Sequence, residues 1–231
     1  MDKNHFSACL LLAQVLLSIK EGERALKYFR YCIKLKPESV PAHFGLAKAT
    51  QEFTSDKETP LSHYQKVIQS DPNHYKALTQ LGILHFEREE FEMCAEYLKK
   101  SLKVNSKYVP TMLAMGKLLY DSGYPEKAIQ FFKKVIKIDS ANIRALVCLG
   151  DSYYDIGEAD LSIESYQMAL KIDPSLHEVH YHAANAHYLK EEIEEAVKHY
   201  KASIELNPGK VEVYFNLGTA LCALHEYSEA I

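Results

Sequence analysis

The chain has 231 residues, 47% of them hydrophobic and 25% charged, which is typical of a folded, water-soluble protein. Lys and Arg number 27 against 31 Asp and Glu, giving a formal net charge of −4. A protein that binds nucleic acid needs excess positive charge to neutralise phosphates. This balance therefore argues against nucleic acid as the main partner.

The first predicted helix contains the most apolar stretch of the chain, ACLLLAQVLL at residues 8–17. A helix that spans a bilayer needs about 20 apolar residues, so we expect no membrane insertion. The run has the length of a signal-peptide core and follows Lys3, but no small-residue cleavage pattern comes after it. A repeat pattern accounts for its apolar residues instead.

A 34-residue pattern recurs along the chain: a helix, a short turn, a second helix and a Pro or polar break. The expected units are 6–39, 40–74, 75–108, 109–142, 143–176 and 177–210, with a partial seventh at 211–231. Position 8 of each unit is small: Ala13, Ala47, Gly82, Gly116, Gly150, Ala184 and Gly218. Position 20 is small in most units, whereas position 24 is large: Phe29, Tyr64, Leu98, Phe132, Tyr166 and Tyr200. Small residues at fixed positions indicate that the two helices of a unit approach closely.

This period and these residues resemble the tetratricopeptide repeat family over residues 6–231. The Trp that the family often has at position 4 is absent. The resemblance implies an all-α, right-handed superhelix in which first helices line a concave groove and second helices form the outer surface. One helix pair buries too little surface to fold alone, so we expect residues 1–231 to form a single solenoid of stacked pairs.

The second unit departs from the pattern in its turn, which has one extra residue, and at Pro60, where a small residue is expected. Because Pro is tolerated in the first turn of a helix, we expect the second helix of this unit to begin late, around Thr59–Leu61. The Thr-Pro pair leaves open whether Thr59 is phosphorylated.

No residue pattern of an enzyme or a metal centre is evident, and we expect neither catalysis nor a cofactor. The motifs GxxxxGK[ST], GxGxxG and GxSxG are absent. His180 and His187 are seven residues apart, about 10 Å along a helix, which is too far to share one ion. Glu178 and His182 could meet at a metal, but structural zinc needs four ligands.

The five cysteines form no CxxC pair and no disulfide framework. Cys9, Cys32 and Cys94 lie at positions expected to be buried, and Cys148 and Cys222 at positions expected to face the groove. This pattern favours free thiols in a reducing, cytoplasmic compartment.

The resemblance places positions 2, 5, 6, 9, 12 and 13 of each unit in the groove. Thr79 is one such residue, and the candidate partner-binding residues from the third unit onward are Lys76, Gln80, Phe86, Lys117, Tyr120, Arg144, Asp151, Tyr154, Tyr181, His182, Asn185, Tyr188, Phe215 and Asn216. Aromatic rings recur at position 12: Phe86, Tyr120, Tyr154 and Tyr188. Such rings either hold apolar anchors of a bound segment or pack between neighbouring helices.

Two specialised family members do not match. Co-chaperone repeats clamp a C-terminal carboxylate with a Lys, Asn and Arg set that no three successive units supply here. The repeats of O-GlcNAc transferase carry a ladder of Asn at position 6, which Asn216 alone matches. We therefore expect a non-catalytic scaffold that binds a protein or peptide segment in its groove, within a larger assembly.

Two alternatives stay open. One is a substrate-recruiting arm of a larger enzyme, such as an O-GlcNAc-transferase-like protein, and the other is a homodimerising array. The first helix is apolar almost all round and the last unit stops early, whereas a capping repeat turns a polar face to water. These ends predict excision from a longer array, or self-association through exposed end repeats.

Overall fold

The computed structural model describes residues 3–224. Within that range the chain forms thirteen α-helices and no strand. The helices are α1 (Lys3–Ser18), α2 (Gly22–Leu35), α3 (Val40–Phe53), α4 (Glu58–Ser70), α5 (Tyr75–Phe86), α6 (Phe91–Val104), α7 (Val109–Asp121), α8 (Pro125–Ile138), α9 (Ile143–Asp155), α10 (Ala159–Ile172), α11 (His177–Leu189), α12 (Ile193–Leu206) and α13 (Val211–Ala223). The expected all-α fold is confirmed.

The chain divides into two compact units, Met1–Ala114 and Met115–Ile231. From α1 to α6 in the first unit and from α8 to α13 in the second, each helix packs against the next along the chain. The helices α1 and α3 also contact each other, as do α9 and α11. The bounds of the seven repeats and their union in one solenoid stay predictions, and residues 225–231 of the seventh repeat lie outside the described residues.

Small residues at position 8 make room for large residues at position 24. A Cβ atom built on Gly116 would lie 2.5 Å from Cε1 of Phe132, and one on Gly150 would lie 2.5 Å from Cε1 of Tyr166. Both rings are buried. Carbon atoms in contact are about 3.5–4.0 Å apart, so glycine allows these rings to lie directly against the first helix.

Asp56 organises the turn between the two helices of the second repeat, residues 40–74. Its Oδ1 accepts hydrogen bonds from the backbone N–H groups of Glu58 and Thr59 at 2.9 and 3.0 Å. The hydroxyl of Thr59 donates to Oδ2 at 2.5 Å. These bonds lower the pKa of Asp56. They also let α4 begin at Glu58, one residue before the expected range, with Pro60 buried in its first turn.

Five turns that follow a first helix pass through the left-handed region of φ. The angle is 79° at Gly123 and Gly157, 61° at Lys20 and Glu89, and 63° at Glu191. Glycine adopts this region freely, whereas other L-residues bring Cβ too close to the following carbonyl, at a cost of about 1–2 kcal/mol. Three of the turns are therefore strained.

We expect Glu89→Gly and Glu191→Gly each to raise the free energy of unfolding by about 0.5–1 kcal/mol, because relief of strain exceeds the entropy that glycine loses on folding. Gly157→Ala, the matched reverse change, should lower it by about 1 kcal/mol. Urea denaturation measures all three. A loss of stability in both glycine variants would contradict the steric explanation.

The apolar first helix buries one side only. Ala13 and Leu16 are buried, whereas Leu11, Val15 and Ile19 are 62%, 46% and 58% exposed. In the part of the chain that the structure describes, no helix is both long and apolar enough to cross a membrane.

Candidate partner-binding site

In the second compact unit, Met115–Ile231, buried tyrosines orient polar side chains on the first helices of the repeats. The hydroxyl of Tyr166 donates to Oδ1 of Asp151 at 2.7 Å, and that of Tyr200 donates to Oδ1 of Asn185 at 2.6 Å. Burial raises the pKa of Asp151, although the Tyr166 hydrogen bond and nearby His182 act in the opposite direction. Each tyrosine thus fixes one acceptor on the preceding first helix.

Asn185 is also linked to the next first helix, α13. The amide of Asn216 donates to the hydroxyl of Tyr181 at 3.2 Å and to Oδ1 of Asn185 at 3.3 Å. Nδ1 of His182 lies 3.8 Å from Oδ1 of Asp151. The predicted groove residues therefore form two polar groups: Asp151 and His182 connect α9 with α11, and Tyr181, Asn185 and Asn216 connect α11 with α13.

Two cavities are lined by residues of these polar groups. One, of about 210 Å³, is lined by Tyr154, Asn185, Tyr188, Tyr200, Asn216 and Thr219. Most of these residues come from three successive first helices, α9, α11 and α13. The other, of about 310 Å³, is lined by Ile143, Arg144, Val147, Cys148, Ser175, Leu176, His177, Glu178, Val179 and His182. Amide groups and tyrosine rings together can hold a peptide main chain and an apolar side chain.

Other predicted groove residues make contacts within the protein. Burial raises the pKa of Tyr120, and its hydrogen bond to Asp155 raises it further. Nζ of Lys117 donates to Oδ1 of Asp121 at 2.6 Å and lies 5.4 Å from the centre of the Tyr120 ring. Two of the rings at position 12, Tyr154 and Tyr188, therefore line a cavity, whereas Tyr120 is engaged by its neighbours.

The two phenylalanines among the predicted groove residues also differ: one packs within the protein and the other is exposed. The ring of Phe86 packs edge-on against Phe91, with the ring centres 5.9 Å apart. Phe215 on α13 is 76% exposed. Phe86 therefore fits the packing interpretation of position 12, while Phe215 has room for contact with a partner.

The first compact unit, Met1–Ala114, also has a cavity beside the first helices of its repeats. The sequence prediction found only part of the cavity lining. Of the predicted groove residues, Lys76 and Gln80 line the cavity. The prediction missed the residues that α3 contributes, because it took candidates only from the third repeat onward. These residues are Phe44, Lys48, Gln51 and Glu52. They occupy groove positions 5, 9, 12 and 13 of the second repeat, so applying the groove positions to that repeat would have found them.

Thr79 does not face the groove, and the expectation that it does is wrong. It is fully buried, and its Oγ1 lies 2.9 Å from Oγ of Ser101 and 2.6 Å from Oγ1 of Thr111. The hydroxyls of Thr79 and Ser101 both donate to the carbonyl of Tyr75 at 2.9 Å. The cluster joins α5, α6 and α7, which explains why a polar residue is tolerated there.

Two histidine pairs, which the sequence did not reveal, link the helices of a pair. Nδ1 of His43 lies 2.7 Å from Nδ1 of His63, and Nδ1 of His180 lies 3.0 Å from Nδ1 of His199. Nε2 of His43 is 2.6 Å from the carbonyl of Pro37, and His180 repeats this contact at 3.2 Å. Each first histidine therefore donates through Nε2 and accepts at Nδ1 from its neutral partner. Among the described residues, no group of three or more His, Cys, Asp or Glu could hold a metal ion.

The cysteines are free thiols. Cys9, Cys32 and Cys94 are buried, Cys148 is half-buried and Cys222 is exposed. Burial raises the pKa of Cys94 and that of Cys148 to about 11. Such thiols are protonated and unreactive near neutral pH.

Family models identify the repeats directly. A model described as TPR repeat matches residues 150–191 and 184–224, and a model described as tetratricopeptide repeat matches residues 6–39 and 109–142. Together the matches cover more than half of the chain. The chain belongs to the tetratricopeptide repeat family. The resemblance recognised in the sequence is confirmed, and tetratricopeptide repeats are protein-interaction modules.

One curated relative of this tetratricopeptide repeat protein is the Protein CTR9 homolog of Arabidopsis thaliana. It is 33% identical over 98 residues, which are 39% of this chain and 9% of the relative. The match therefore spans less than a tenth of the relative's length.

Solved structures share the fold. A chain of the APC/C hetero-tetramer Cut9–Hcn1 aligns with a TM-score of 0.79 and 18% identity, over 94% of this chain and 43% of that one. YrrB, described as a TPR protein with an unusual peptide-binding site, aligns with a TM-score of 0.68 and 18% identity, over 85% and 97% of the two chains. At this identity the matches show the fold alone, which is the all-α tetratricopeptide repeat fold. Membership of this family, rather than these structures, indicates a protein-interaction scaffold.

Proposed function

We propose that this tetratricopeptide repeat protein is a non-catalytic scaffold that binds a segment of a partner protein along its first helices. The 210 Å³ cavity lined by Tyr154, Asn185, Tyr188 and Asn216 carries the proposal. Its rings offer apolar area at low entropic cost, and its amides can pair with a peptide main chain. Recognition of an extended segment commonly combines these two kinds of contact.

The polar network around this cavity makes it a prepared site. Tyr200 and Asn216 both bond to Oδ1 of Asn185, which holds that amide in place before a partner arrives. Tyr181 in turn accepts from Asn216. Side chains held in position before binding lose less entropy when the complex forms. Phe215 and Arg144 lie on the same set of first helices and extend the proposed contact surface.

Membership of a larger assembly is part of the proposal. A chain with the same fold belongs to a complex described as the APC/C hetero-tetramer Cut9–Hcn1. The free cysteines suit a reducing compartment, and we place the protein in the cytoplasm on that ground.

The double variant Tyr154→Ala/Tyr188→Ala should bind peptides at least about tenfold more weakly, because aromatic residues at the centre of an interface contribute 1–2 kcal/mol or more each. The measurement is fluorescence anisotropy with peptides selected on the unsubstituted chain from a displayed random library. Both tyrosines are partly exposed, so the helical circular dichroism signal should not change.

Tyr124→Ala is the matched control, since Tyr124 is 50% exposed and lies in the turn before α8. Its affinity should stay within about twofold. Selected peptides that bind the double variant as tightly as the unsubstituted chain would refute recognition through these rings.

A homodimerising array is the second candidate, and the exposed apolar side of α1 favours it. Leu11 and Val15 lie one helical turn apart on that side, and Ile19 follows directly after the helix ends. Analytical ultracentrifugation distinguishes the two candidates: a doubled mass that Leu11→Lys/Val15→Lys reduces to that of one chain supports the dimer, and a monomeric unsubstituted chain rules it out.

A further inference from the structure

The cavity of the first compact unit has a basic lining. Its two adjoining parts measure about 660 and 340 Å³ and share Phe44, Lys48, Glu52 and Lys76. Lys20 lines the larger part as well. Three ammonium groups therefore face one carboxylate. The other polar groups of the lining are Gln14, Ser18, Gln51, His74, Gln80 and the hydroxyls of Tyr64 and Tyr108, and burial lowers the pKa of His74.

The lysines of this cavity have no carboxylate partner at ion-pair distance among residues 3–224. Neither Lys20 nor Lys48 forms a side-chain hydrogen bond there, and Nζ of Lys76 lies 6.0 Å from the centre of the Tyr75 ring. Lys190, in contrast, pairs with Asp160 at 2.7 Å. Like charges grouped in a cleft raise the local potential and attract groups of opposite sign.

Part of the cavity lining is apolar. Phe44 lines both parts, and the buried ring of Phe29 also lines the larger part. Gly45 makes this possible, because a Cβ atom at residue 45 would lie 2.1 Å from Cε1 of Phe29. Val40 and Leu17 complete the apolar part of the wall. Ammonium groups and aromatic rings thus line the same cavity, in a volume typical of ligand sites.

We propose that this cavity binds an internal acidic segment of the partner, with one large apolar side chain on Phe44 and carboxylates near Lys48 and Lys76. This rests on the proposed function and adds the chemistry of the segment and its place on the chain. A basic segment would bring further positive charge to the unpaired ammonium groups, and a purely apolar one would leave them without an anion. Charge complementarity therefore selects the acidic segment.

Three synthetic peptides test the proposal, all acetylated and amidated so that no terminal carboxylate takes part: DEDFLEDE, KRKFLKRK and DEDGGEDE. By fluorescence anisotropy, the first should bind the unsubstituted chain at least about tenfold more tightly than the other two. Its affinity should fall as salt is raised, because salt screens exposed charges. Equal affinities of the three peptides would overturn the proposal.

The variant Lys48→Glu/Lys76→Glu should lose at least about tenfold in affinity for DEDFLEDE. Lys99→Glu/Lys103→Glu, which changes the net charge equally at exposed residues of α6, is the matched control and should lose less than about threefold. Equal losses in both variants would overturn the assignment to this cavity. If library peptides bind through Tyr154 and Tyr188 while DEDFLEDE shows no preference, the acidic-segment proposal is wrong and the scaffold proposal stands. If neither library nor synthetic peptides bind, both are wrong.

Discussion

Tyr166→Ala should lower the free energy of unfolding by about 3–5 kcal/mol, the loss typical of truncating a buried aromatic ring. Tyr166 is 1% exposed and packs among Leu146, Ile163, Val179 and other residues of α9, α10 and α11. Alanine would leave a cavity that three helices line. Because small domains are stable by only about 5–15 kcal/mol, a large part of the stability would be lost.

Two companion variants separate the contribution of the Tyr166 ring to stability from that of its hydroxyl and from the effect of its buried position. Tyr166→Phe keeps the ring but removes the hydrogen bond to Asp151, and should lose about 1–2 kcal/mol. Tyr124→Ala makes the same truncation where the ring is 50% exposed, and should lose less than about 1 kcal/mol. Urea denaturation followed by circular dichroism gives all three values. A loss in Tyr166→Ala no larger than in Tyr124→Ala would show that position 24 does not hold the repeat together.

Acid should destabilise the fold through the two histidine pairs. In the folded chain the pKa of His63 is lowered to about 4, first by burial and then by the charges of His43 and Lys66. The pKa of His199 is also lowered to about 4, first by burial and then by His180, His187 and Lys198, with Glu195 acting in the opposite direction. Both rings are therefore neutral in the native state at physiological pH.

The sign of the pH effect follows from these values. An unfolded histidine titrates near pH 6.5, so between pH 6.5 and about 4 the unfolded chain binds more protons than the folded one. The stabilisation is complete above pH 6.5 and is lost as the pH falls through that window. Both rings remain partly exposed to water, which reduces the contribution of His63 and of His199 to about 1–2 kcal/mol each.

Urea denaturation at pH 7.5 and pH 5.0 measures this loss. In His63→Gln/His199→Gln, the difference in unfolding free energy between the two pH values should shrink by about 2–3 kcal/mol. His5→Gln removes an exposed histidine and should keep the full difference. If the double variant lost as much stability on acidification as the unsubstituted chain, the histidine pairs would not be the cause.

The features that the sequence predicted well follow from local spacing. Gly116 and Phe132 occupy fixed positions within one unit, and their contact requires only two helices of known period. The same spacing placed Tyr154, Asn185 and Tyr188 on first helices, where they line one cavity. Helical periodicity and a small residue at each close contact carry this information.

The features that were missed depend on contacts between elements. His43 and His63 are twenty residues apart and meet only when two helices pack, so considering each helix alone could not pair them. The prediction for Thr79 failed because its position in the repeat indicated a groove residue. In the structure its side chain is buried and contacts hydroxyls of α6 and α7. The unpaired state of Lys48 also required coordinates, since charge pairing depends on distances in space.

Photocrosslinking tests most directly whether first helices form the binding surface. A photoreactive phenylalanine analogue would replace Tyr188 on the first helix α11, or Gln167, an exposed residue of the second helix α10, and each protein would be irradiated with a library-selected peptide. We predict strong crosslinking from residue 188 and background crosslinking from residue 167. Crosslinking from residue 167 with none from residue 188 would contradict the account, because the partner would then lie on the second helices.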